Sequence, residues 1–378
     1  MDAFAGAVGV ADSDGKGTGV YSVCEARPGV NPDYFAYVVR EMARSQWILA
    51  LAKGIRERST DFRFDTFASQ VLPVPPLAEQ NALSAFLHHA DRRIRRAIRA
   101  KQKLIALLDE QKQAVIHRAV TRGLDPNVRL KPSGVDWLGD VPEHWEILPL
   151  RRRWTVADCK HLTVPFVEDG IPLASVREVQ TFELSLASAK RTTMEWYESL
   201  IEGGRRPQRG DLIYCRNVSV GAAAVVVSEE RFAMGQDVCL IRSRSQSQRY
   251  LNYFLHSPAM ERQLASLLIG STFDRINVAD IKNLLIVVPP RAEQEGIAAH
   301  LDRGFKASDA VIESARQEID LLREYRTRLI ADVVTGKLDV REAGARLPEE
   351  MDESGPLHEI EVEESDDPEV EALDLVDA

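Results

Sequence analysis

Apolar residues recur every three or four positions through two long segments of the chain. This period predicts two long amphipathic helices, each with one apolar seam. A helix of about 40 residues cannot bury such a seam alone, so we expect the two to pair as an antiparallel coiled coil. Two separate helices on two cores are the alternative. The predicted seam residues are Leu87, Ile94, Ile98, Ile105, Leu108 and Val115 in the first helix, and Leu301, Ile312, Ile319, Leu322, Leu329 and Val333 in the second.

The two helices belong to an internal repeat. The motif Pro-Pro-x-x-Glu-Gln at residues 75–80 recurs at residues 289–294, and the helix end at residues 120–125 recurs at 334–339, both at an offset of 214. Upstream, Tyr34 and Tyr37 match Tyr250 and Tyr253 at an offset of 216. An ordered series of matches at a nearly constant offset indicates duplication of one structural unit.

The segments before the two helices predict globular units of the α+β class. Short apolar stretches at residues 71–74 and 284–288 are predicted as buried strands, each stopped by a proline pair. Residues 150–290 alternate apolar runs with turns, which is typical of a strand-rich domain. Since residues 6–8 match 221–223, we expect the first unit to be incomplete and to lack strands that the second has.

Charge is distributed unevenly along the chain. The formal net charge is −10, but residues 348–378 hold 14 acidic residues and no Lys or Arg. The remaining sequence carries 48 basic and 44 acidic residues, which is compatible with a nucleic-acid partner. The acidic tail is predicted to be disordered. It is either a solubilising tail or a DNA mimic that limits non-specific binding.

Signals for other classes of protein are absent from the sequence. No run of eighteen apolar residues predicts a membrane span, and the N-terminal residues do not resemble a signal peptide, so a cytoplasmic protein is expected. The four scattered cysteines predict neither disulfides nor a zinc site. Nucleotide-binding, metalloprotease and serine-hydrolase motifs are also missing. We therefore expect no catalytic residue and no bound metal in this chain.

Taken together, several motifs resemble the specificity subunit of type I restriction-modification enzymes. They are the Pro-Pro-x-x-Glu-Gln helix starts, Thr-Arg-Gly-Leu-Asp at residues 121–125, and the connector with Ser-Gly-Val-Asp-Trp-Leu-Gly at 133–139 and Pro-Glu-His-Trp at 142–145. The resemblance covers residues 1 to about 345. It implies a truncated first target-recognition domain at 1–76, a spacer helix at 77–125, a connector at 126–145, a second target-recognition domain at 146–290, a second spacer helix at 291–345 and an acidic tail at 346–378.

The resemblance also implies a function and partners. The family reads a bipartite site in double-stranded DNA and docks two DNA adenine methyltransferase subunits, with motor-nuclease subunits as optional further partners. S-adenosylmethionine, ATP and Mg belong to those partners, and this chain is expected to hold no cofactor. The helix starts, with Glu79, Gln80, Glu293 and Gln294, are expected to dock the partners.

Sequence is read at base edges by polar side chains, chiefly Arg, Lys, Asn and Gln. Residues 270–277 are the strongest candidate segment because they lie between a predicted helix and the last strand. An ordinary surface role is the alternative for each residue. The candidates for DNA contact are Lys190, Arg191, Arg216, Asn217, Ser219, Gln236, Ser271, Thr272, Arg275 and Asn277.

Two other functions stay open at this point. The chain could be a scaffold that binds methyltransferase through its helices but reads one half-site or none. It could also be an enzyme with an unrecognised nuclease or methyltransferase activity, which the missing motifs disfavour.

Overall fold

The computed structural model describes residues 8–11, 13–16, 23–51, 64–268 and 275–347. The chain divides into two compact units: a first unit, Met1–Lys101 with Gln317–Ala378, and a second unit, Gln102–Arg316. The candidate residues Ser271 and Thr272 and the acidic residues 348–378 lie outside the described residues. No helix in the described part of the chain is long and apolar enough to cross a membrane.

The described chain combines helices with short strands, which confirms the predicted α+β class with two long helices. The helices are α1 (Pro32–Arg44), α2 (Trp47–Leu51), α3 (Phe64–Ala68), α4 (Leu77–Arg122), α5 (Met194–Ile201), α6 (Gln248–Leu255), α7 (Pro258–Leu268), α8 (Val278–Asn283), α9 (Arg291–Val334) and α10 (Arg341–Ala345). The strands are β1 (Leu130–Pro132), β2 (Asp140–Pro142), β3 (Glu146–Pro149), β4 (Thr155–Asp158), β5 (Ile171–Ala174), β6 (Arg191–Thr192), β7 (Leu212–Cys215), β8 (Ala223–Val225), β9 (Ala233–Met234), β10 (Val238–Arg242) and β11 (Leu285–Val288).

Helices α4 and α9 run antiparallel within each unit. In the first unit Asp91 pairs with Arg326 at 2.5 Å, and Lys101 pairs with Glu318. The residue number of the α9 partner therefore falls as the residue number along α4 rises, as expected of antiparallel helices. In the second unit Lys112 pairs with Asp309 at 2.5 Å, and Val120, farther along α4, lies in one core cluster with Leu301, earlier in α9. The antiparallel pairing predicted from the apolar period is thus present in both units.

The apolar seam follows the predicted residues with one exception. Leu87, Ile94, Ile98, Leu301, Ile312, Ile319, Leu329 and Val333 are buried, and Ile105, Leu108 and Leu322 are half-buried.

Val115 is the exception: it is 37% exposed, whereas Ile116 next to it is 1% exposed. The seam position between Leu108 and Ile116 is taken by Lys112, whose ammonium lies 5.4 Å from the centre of the Phe305 ring. The prediction for Val115 is therefore wrong, because a polar seam residue shifted the apparent phase of the stripe.

The second unit contains a four-stranded sheet in the order β4-β10-β7-β8, with antiparallel neighbours throughout. A smaller sheet has the order β6-β5-β9, and β11 pairs with β3. The connector folds as the β1–β2 hairpin, and Trp145 after it is buried in the main core with Val120 of α4. Helix α4 stops at Gly123, whose φ of +78° suits glycine and whose missing Cβ leaves room for the Trp145 ring.

The first unit lacks one predicted strand. Residues 71–74 do not form a strand, whereas their repeat counterpart forms β11. The two stretches differ in their neighbouring strand. β11 is paired along its length by β3, whereas no described segment of the first unit pairs with residues 71–74. An apolar stretch becomes a strand only where a neighbour satisfies its backbone. The prediction of a buried strand at 71–74 is therefore wrong.

Candidate nucleic-acid interface

Each long helix is anchored to its globular unit by a buried glutamine. The side-chain oxygen of Gln294 accepts a hydrogen bond from the backbone N–H of Ser247 at 2.8 Å, and its amide N–H₂ donates to the Pro289 carbonyl at 2.8 Å. Gln80 repeats both contacts, with the N–H of Asn31 at 2.8 Å and the Pro75 carbonyl at 2.7 Å.

Ser247 and Asn31 are themselves the N-cap residues of α6 and α1. Gln80 and Gln294 therefore fix how the long helix leaves its domain. Both are fully buried. The expectation that these two side chains contact a partner is wrong, because their polar atoms are buried and used inside the chain.

The neighbouring glutamates are more exposed. Glu293 accepts a hydrogen bond from the indole N–H of Trp145 at 2.9 Å and lies 2.8 Å from the imidazole of His144. Glu79 in the first unit lies 3.8 Å from the Arg341 guanidinium. Glu293 thus ties the connector to α9, and partner docking by the two glutamates stays a prediction.

One end of the four-stranded sheet collects most of the DNA-contact candidates. β7 ends here at Cys215, and the following Asn217 forms an isolated antiparallel bridge with Arg275. The carbonyl of Arg216 accepts the N–H of Ile276 at 2.9 Å, and its own N–H donates to the Asp237 carbonyl at 3.0 Å. Three loops that are distant in sequence therefore meet at this end of the sheet.

The exposed side chains on these loops are suited to polar contacts. Ser219, Gln236, Arg275 and Asn277 are all exposed. Asn277 occupies the N-cap position of α8, yet its side chain makes no capping hydrogen bond. The amide of Asn277 therefore stays available to an external partner.

Arg216 occupies a different position from the one predicted. Its side chain is only 5% exposed, and its guanidinium lies 3.6 Å from Asp158 and 3.0 Å from His161. A side chain enclosed in this way cannot reach a base edge unless the loop rearranges. The prediction of direct DNA contact is therefore wrong for Arg216, which supports the loops from beneath.

The backbone at this end of the sheet is strained. His161, Val218 and Asp237 have φ values of 49°, 59° and 63°. Positive φ is costly for residues other than glycine, and most of all for a β-branched residue such as Val218. Strain of this kind clusters at functional sites.

Lys190 and Arg191 lie elsewhere. Arg191 begins β6 of the smaller sheet and Lys190 directly precedes that strand. The Arg191 guanidinium donates to the Gly170 carbonyl at 3.0 Å. The Lys190 ammonium lies 4.7 Å from the centre of the Phe166 ring. The structure does not bring these two residues together with the loops after β7.

Three potential metal ligands lie close together at the same end of the sheet. Ligand atoms of Asp158, Cys159 and His161 all lie within 4.8 Å of one another. Burial raises the pKa of the Cys159 thiol, and the Arg216 guanidinium already lies against the other two side chains. Because a metal ion binds cysteine as the thiolate and is repelled by a neighbouring positive charge, the trio is better suited to hold the Arg216 guanidinium than a metal ion.

The remaining cysteines of the core are no better suited to chemistry. Burial raises the pKa of Cys215 to about 12 and also raises the pKa of Cys239. Both cysteines therefore stay as thiols at neutral pH. A cysteine that acts as a nucleophile or a metal ligand has to be a thiolate.

A basic groove lies at the other end of the β4–β10 pair. It measures about 430 Å³ and is lined by Arg151, Arg152, Arg153, Arg242 and Arg244, together with Trp154. Asp211 holds Arg242 through two hydrogen bonds of 2.7 and 2.5 Å. Such a groove suits phosphate, which fixes position and carries no sequence information. The arginine run at 151–153 was its signal in the sequence.

Sequence patterns gave little sign of Asp158, His161 and Asp237. Each is a single polar residue at a strand end, and only the pairing of β4, β10 and β7 brings the three together. Their recognisable signal is the positive φ of His161 and Asp237, which needs coordinates.

Part of the chain is similar to proteins of a known family. Residues 204–321 match the family model described as "Type I restriction modification DNA specificity domain". The specificity subunit of the type I restriction enzyme MjaVIII of Methanocaldococcus jannaschii is 23% identical over 286 residues, covering 73% of this chain and 64% of the relative. The EcoBI specificity subunit of Escherichia coli is 21% identical, covering 72% of this chain and 59% of the relative. The chain thus spans less than two thirds of the length of these two relatives.

A solved structure supports the fold. It is described as the structural basis of complex assembly and conformational transition of the type I R-M system. The likeness has a TM-score of 0.60 at 18% identity and covers 81% of this chain and 72% of the other. At this identity the likeness establishes a shared architecture and nothing finer.

Proposed function

We propose that this chain, like the type I restriction-modification specificity subunits that it resembles, reads DNA sequence and performs no catalysis itself. The observation that carries the proposal is the Asn217–Arg275 bridge, which joins two loops of exposed polar side chains at one end of the four-stranded sheet. Loops held on a rigid sheet are a suitable support for base-specific contacts.

The exposed residues match the chemistry of base edges. An arginine such as Arg275 can bond O6 and N7 of guanine, and Asn277 or Gln236 can bond N6 and N7 of adenine. The backbone of Arg216 binds Ile276 and Asp237, and its buried guanidinium lies against Asp158 and His161, so it acts as a positioning residue. The basic groove at residues 151–153 is suited to hold the phosphate backbone.

The paired helices are proposed to dock two DNA adenine methyltransferase subunits, with motor-nuclease subunits as further partners. The docking proposal is supported by exposed apolar side chains that lie away from the seam. They are Leu104, Leu107 and Val115 in the second unit and Leu321 and Tyr325 in the first. S-adenosylmethionine, ATP and Mg would then be held by these partners. The assembly is proposed to work on double-stranded DNA in the cytoplasm.

The first test is co-expression with a type I DNA adenine methyltransferase subunit from the same genome, followed by genome-wide mapping of methylated adenines. A bipartite motif with a fixed gap is expected. Absence of a complex with the methyltransferase would contradict the proposal.

The second test concerns the reading loops. Arg275→Ala is expected to weaken binding to the mapped site by ten- to about a hundredfold, since a good bidentate contact contributes about 1–3 kcal/mol. Binding to random DNA should change much less. Arg231→Ala, an exposed arginine before β9, is the matched control. Equal losses on both DNAs would make Arg275 a phosphate contact only.

A second candidate function is favoured by the first unit. Residues 71–74 form no strand among the described residues of the first unit, whereas their repeat counterpart in the second unit forms β11. The chain could then be a scaffold that docks methyltransferase and reads one half-site or none. A half-motif or a palindrome in the methylation map would favour this function over the bipartite one.

A further inference from the structure

Val218 lies in the loop that joins β7 to β8, and its side chain is 75% exposed. Val220, two residues later in the same loop, is half-buried and packs against the main core. The loop therefore buries one of its two valines and leaves the other in solvent. Exposure of a single valine is common at protein surfaces, and it is the backbone that sets Val218 apart.

The backbone of Val218 adopts a conformation that a β-branched residue rarely takes. Its φ is +59°, and the carbonyl of Asn217 before it accepts the N–H of Ser219 after it at 2.6 Å. A hydrogen bond across a single residue of positive φ characterises the strained form of the γ-turn. Glycine or asparagine adopts a positive φ at lower cost. Stability of the loop alone would therefore favour either of them over valine.

Hydrogen bonds on both sides of Val218 hold the turn in place. The side-chain oxygen of Asn217 accepts the N–H of Val218 at 3.1 Å, and Asn217 also forms the bridge with Arg275. After the turn, the carbonyl of Ser219 accepts the N–H of Ala222 at 3.0 Å. Strained backbone persists only where its surroundings over-determine it, and such positions cluster at functional sites. The turn thus fixes an apolar side chain in an exposed position.

The side chains exposed on the loops that meet at this end of the sheet are otherwise polar. They are Ser219, Gln236, Arg275 and Asn277. On a surface that reads base edges, such side chains match the hydrogen-bond donors and acceptors of the bases. Val218 has no hydrogen-bonding group in its side chain. Its counterpart on DNA is the C5-methyl group of thymine, which lies in the major groove and has no equivalent in the minor groove.

We propose that Val218 contacts the C5-methyl group of a thymine in the major groove of the target and so determines one base of the recognised sequence. This inference rests on the proposed function, because it requires that the loop after β7 faces DNA. The two methyl groups of Val218 cover the thymine methyl, which removes apolar surface of both partners from water. Arg275 and Asn277 recognise hydrogen-bonding groups, and Val218 recognises a group that neither of them can distinguish.

The test removes the methyl group from the DNA. The full chain selects its site from a library of randomised duplexes, and each thymine of that site is then replaced in turn by deoxyuridine, which lacks only the methyl group. Anisotropy of a labelled duplex measures the dissociation constant. At one thymine or more, the replacement is expected to weaken binding of the wild-type chain by about threefold to tenfold, the effect of one buried methyl group.

Val218→Ala completes a double-mutant cycle. The variant should lose about threefold to tenfold on the thymine duplex and nothing further on the deoxyuridine duplex at one position, because the valine and the methyl group act as a pair. Val227→Ala is the matched control. Val227 is 71% exposed and follows β8 at the opposite end of the β7–β8 hairpin, so its replacement should leave both affinities unchanged.

Val218→Gly separates recognition from folding. Glycine tolerates a positive φ, so this variant should unfold at a temperature no lower than that of the wild type, while it no longer distinguishes thymine from deoxyuridine. Circular dichroism during heating measures the unfolding temperature. Lower unfolding temperatures and weaker binding to every duplex, for both Val218 variants, would instead assign Val218 a purely structural role.

Three further results would overturn the inference. The first is a selected site without any A·T pair, and the second is wild-type binding that no deoxyuridine replacement weakens. The third is a loss for Val218→Ala that is equal on the thymine and deoxyuridine duplexes at every position. In each case the chain still selects a sequence, so the proposed function stands. A chain that selects no sequence would contradict the proposed function itself, and with it this inference.

Discussion

The side chain of Gln294 accepts the backbone N–H of Ser247 at 2.8 Å, which ties the start of α9 to the N-cap of α6. The first unit repeats this bond between Gln80 and Asn31 at the same distance. Residues of two elements that are separated by about 50 positions are thus joined twice in the same manner. The bond explains why the helix-start motif occurs in both halves of the chain.

Replacing Gln294 with Leu should lower the free energy of unfolding by about 1–3 kcal/mol, because the buried N–H of Ser247 would lose its partner. Chemical denaturation followed by circular dichroism measures the change. Gln102→Leu, on an exposed position of α4, is the control and should have little effect. Equal stability of the Gln294 variant and the control would show that the bond does not anchor the helix.

Neighbouring residues of α4 test the corrected seam. Ile116→Ala should cost about 2–5 kcal/mol, because it opens a cavity beside Val120 and Leu301 in the main core. Val115→Ala should stay within about 0.5 kcal/mol, as expected of a surface position. Similar losses in both variants would argue that the phase of the seam is incorrectly assigned.

Arg216 and Arg275 should separate a positioning role from a contact role. Arg216→Ala removes the cation beside Asp158 and is expected to lower the free energy of unfolding by about 1–3 kcal/mol. Arg275→Ala should leave stability within about 0.5 kcal/mol while weakening binding to the cognate site. A stability loss for Arg275→Ala as large as that for Arg216→Ala would reject this division.

Stability should fall in mild acid because of His256. Burial lowers the pKa of His256 to about 4, and its neutral ring is bound on both sides. One ring nitrogen lies 2.8 Å from the Asn252 carbonyl, and the other accepts the N–H of Ala223 at 3.3 Å. A proton on the second nitrogen would oppose that N–H.

The unfolded chain takes up this proton near pH 6.5, and the folded chain only near pH 4. The stabilisation is therefore present above pH 6.5 and is lost as the pH falls toward 4. Its full size is on the order of 3 kcal/mol. Denaturation of the wild type and of His256→Gln across this range should give a shallower slope for the variant. Parallel slopes would show that His256 does not titrate in this way.

Local patterns were sufficient for the long helices and their pairing. Helical periodicity depends on residues three and four positions apart, so the sequence alone predicted α4 and α9 and most of the buried seam. The error at Val115 came from Lys112, a polar seam residue whose ammonium lies 2.5 Å from Asp309. No local pattern reports a partner almost two hundred residues away.

The candidate site was predicted less completely. Sequence position indicated the loops around residues 217 and 275, but their bridge depends on how β7 and α8 are placed in one domain. The sequence does not distinguish Arg216 from other arginines beside predicted loops. Its role follows from the position of β4, which places Asp158 3.6 Å from its guanidinium. Burial of this kind is a property of the packed sheet.

The sequence by itself determined that one helix-start motif would occur twice at a fixed offset, since a repeat is a property of residue order. Only the tertiary structure decided that Gln80 and Gln294 turn inward and that, of the two predicted strands, residues 285–288 form one whereas residues 71–74 do not. The physical reason is that hydrogen-bond partners distant in sequence satisfy the buried amides and the backbone of β11, and packing alone determines where such partners lie.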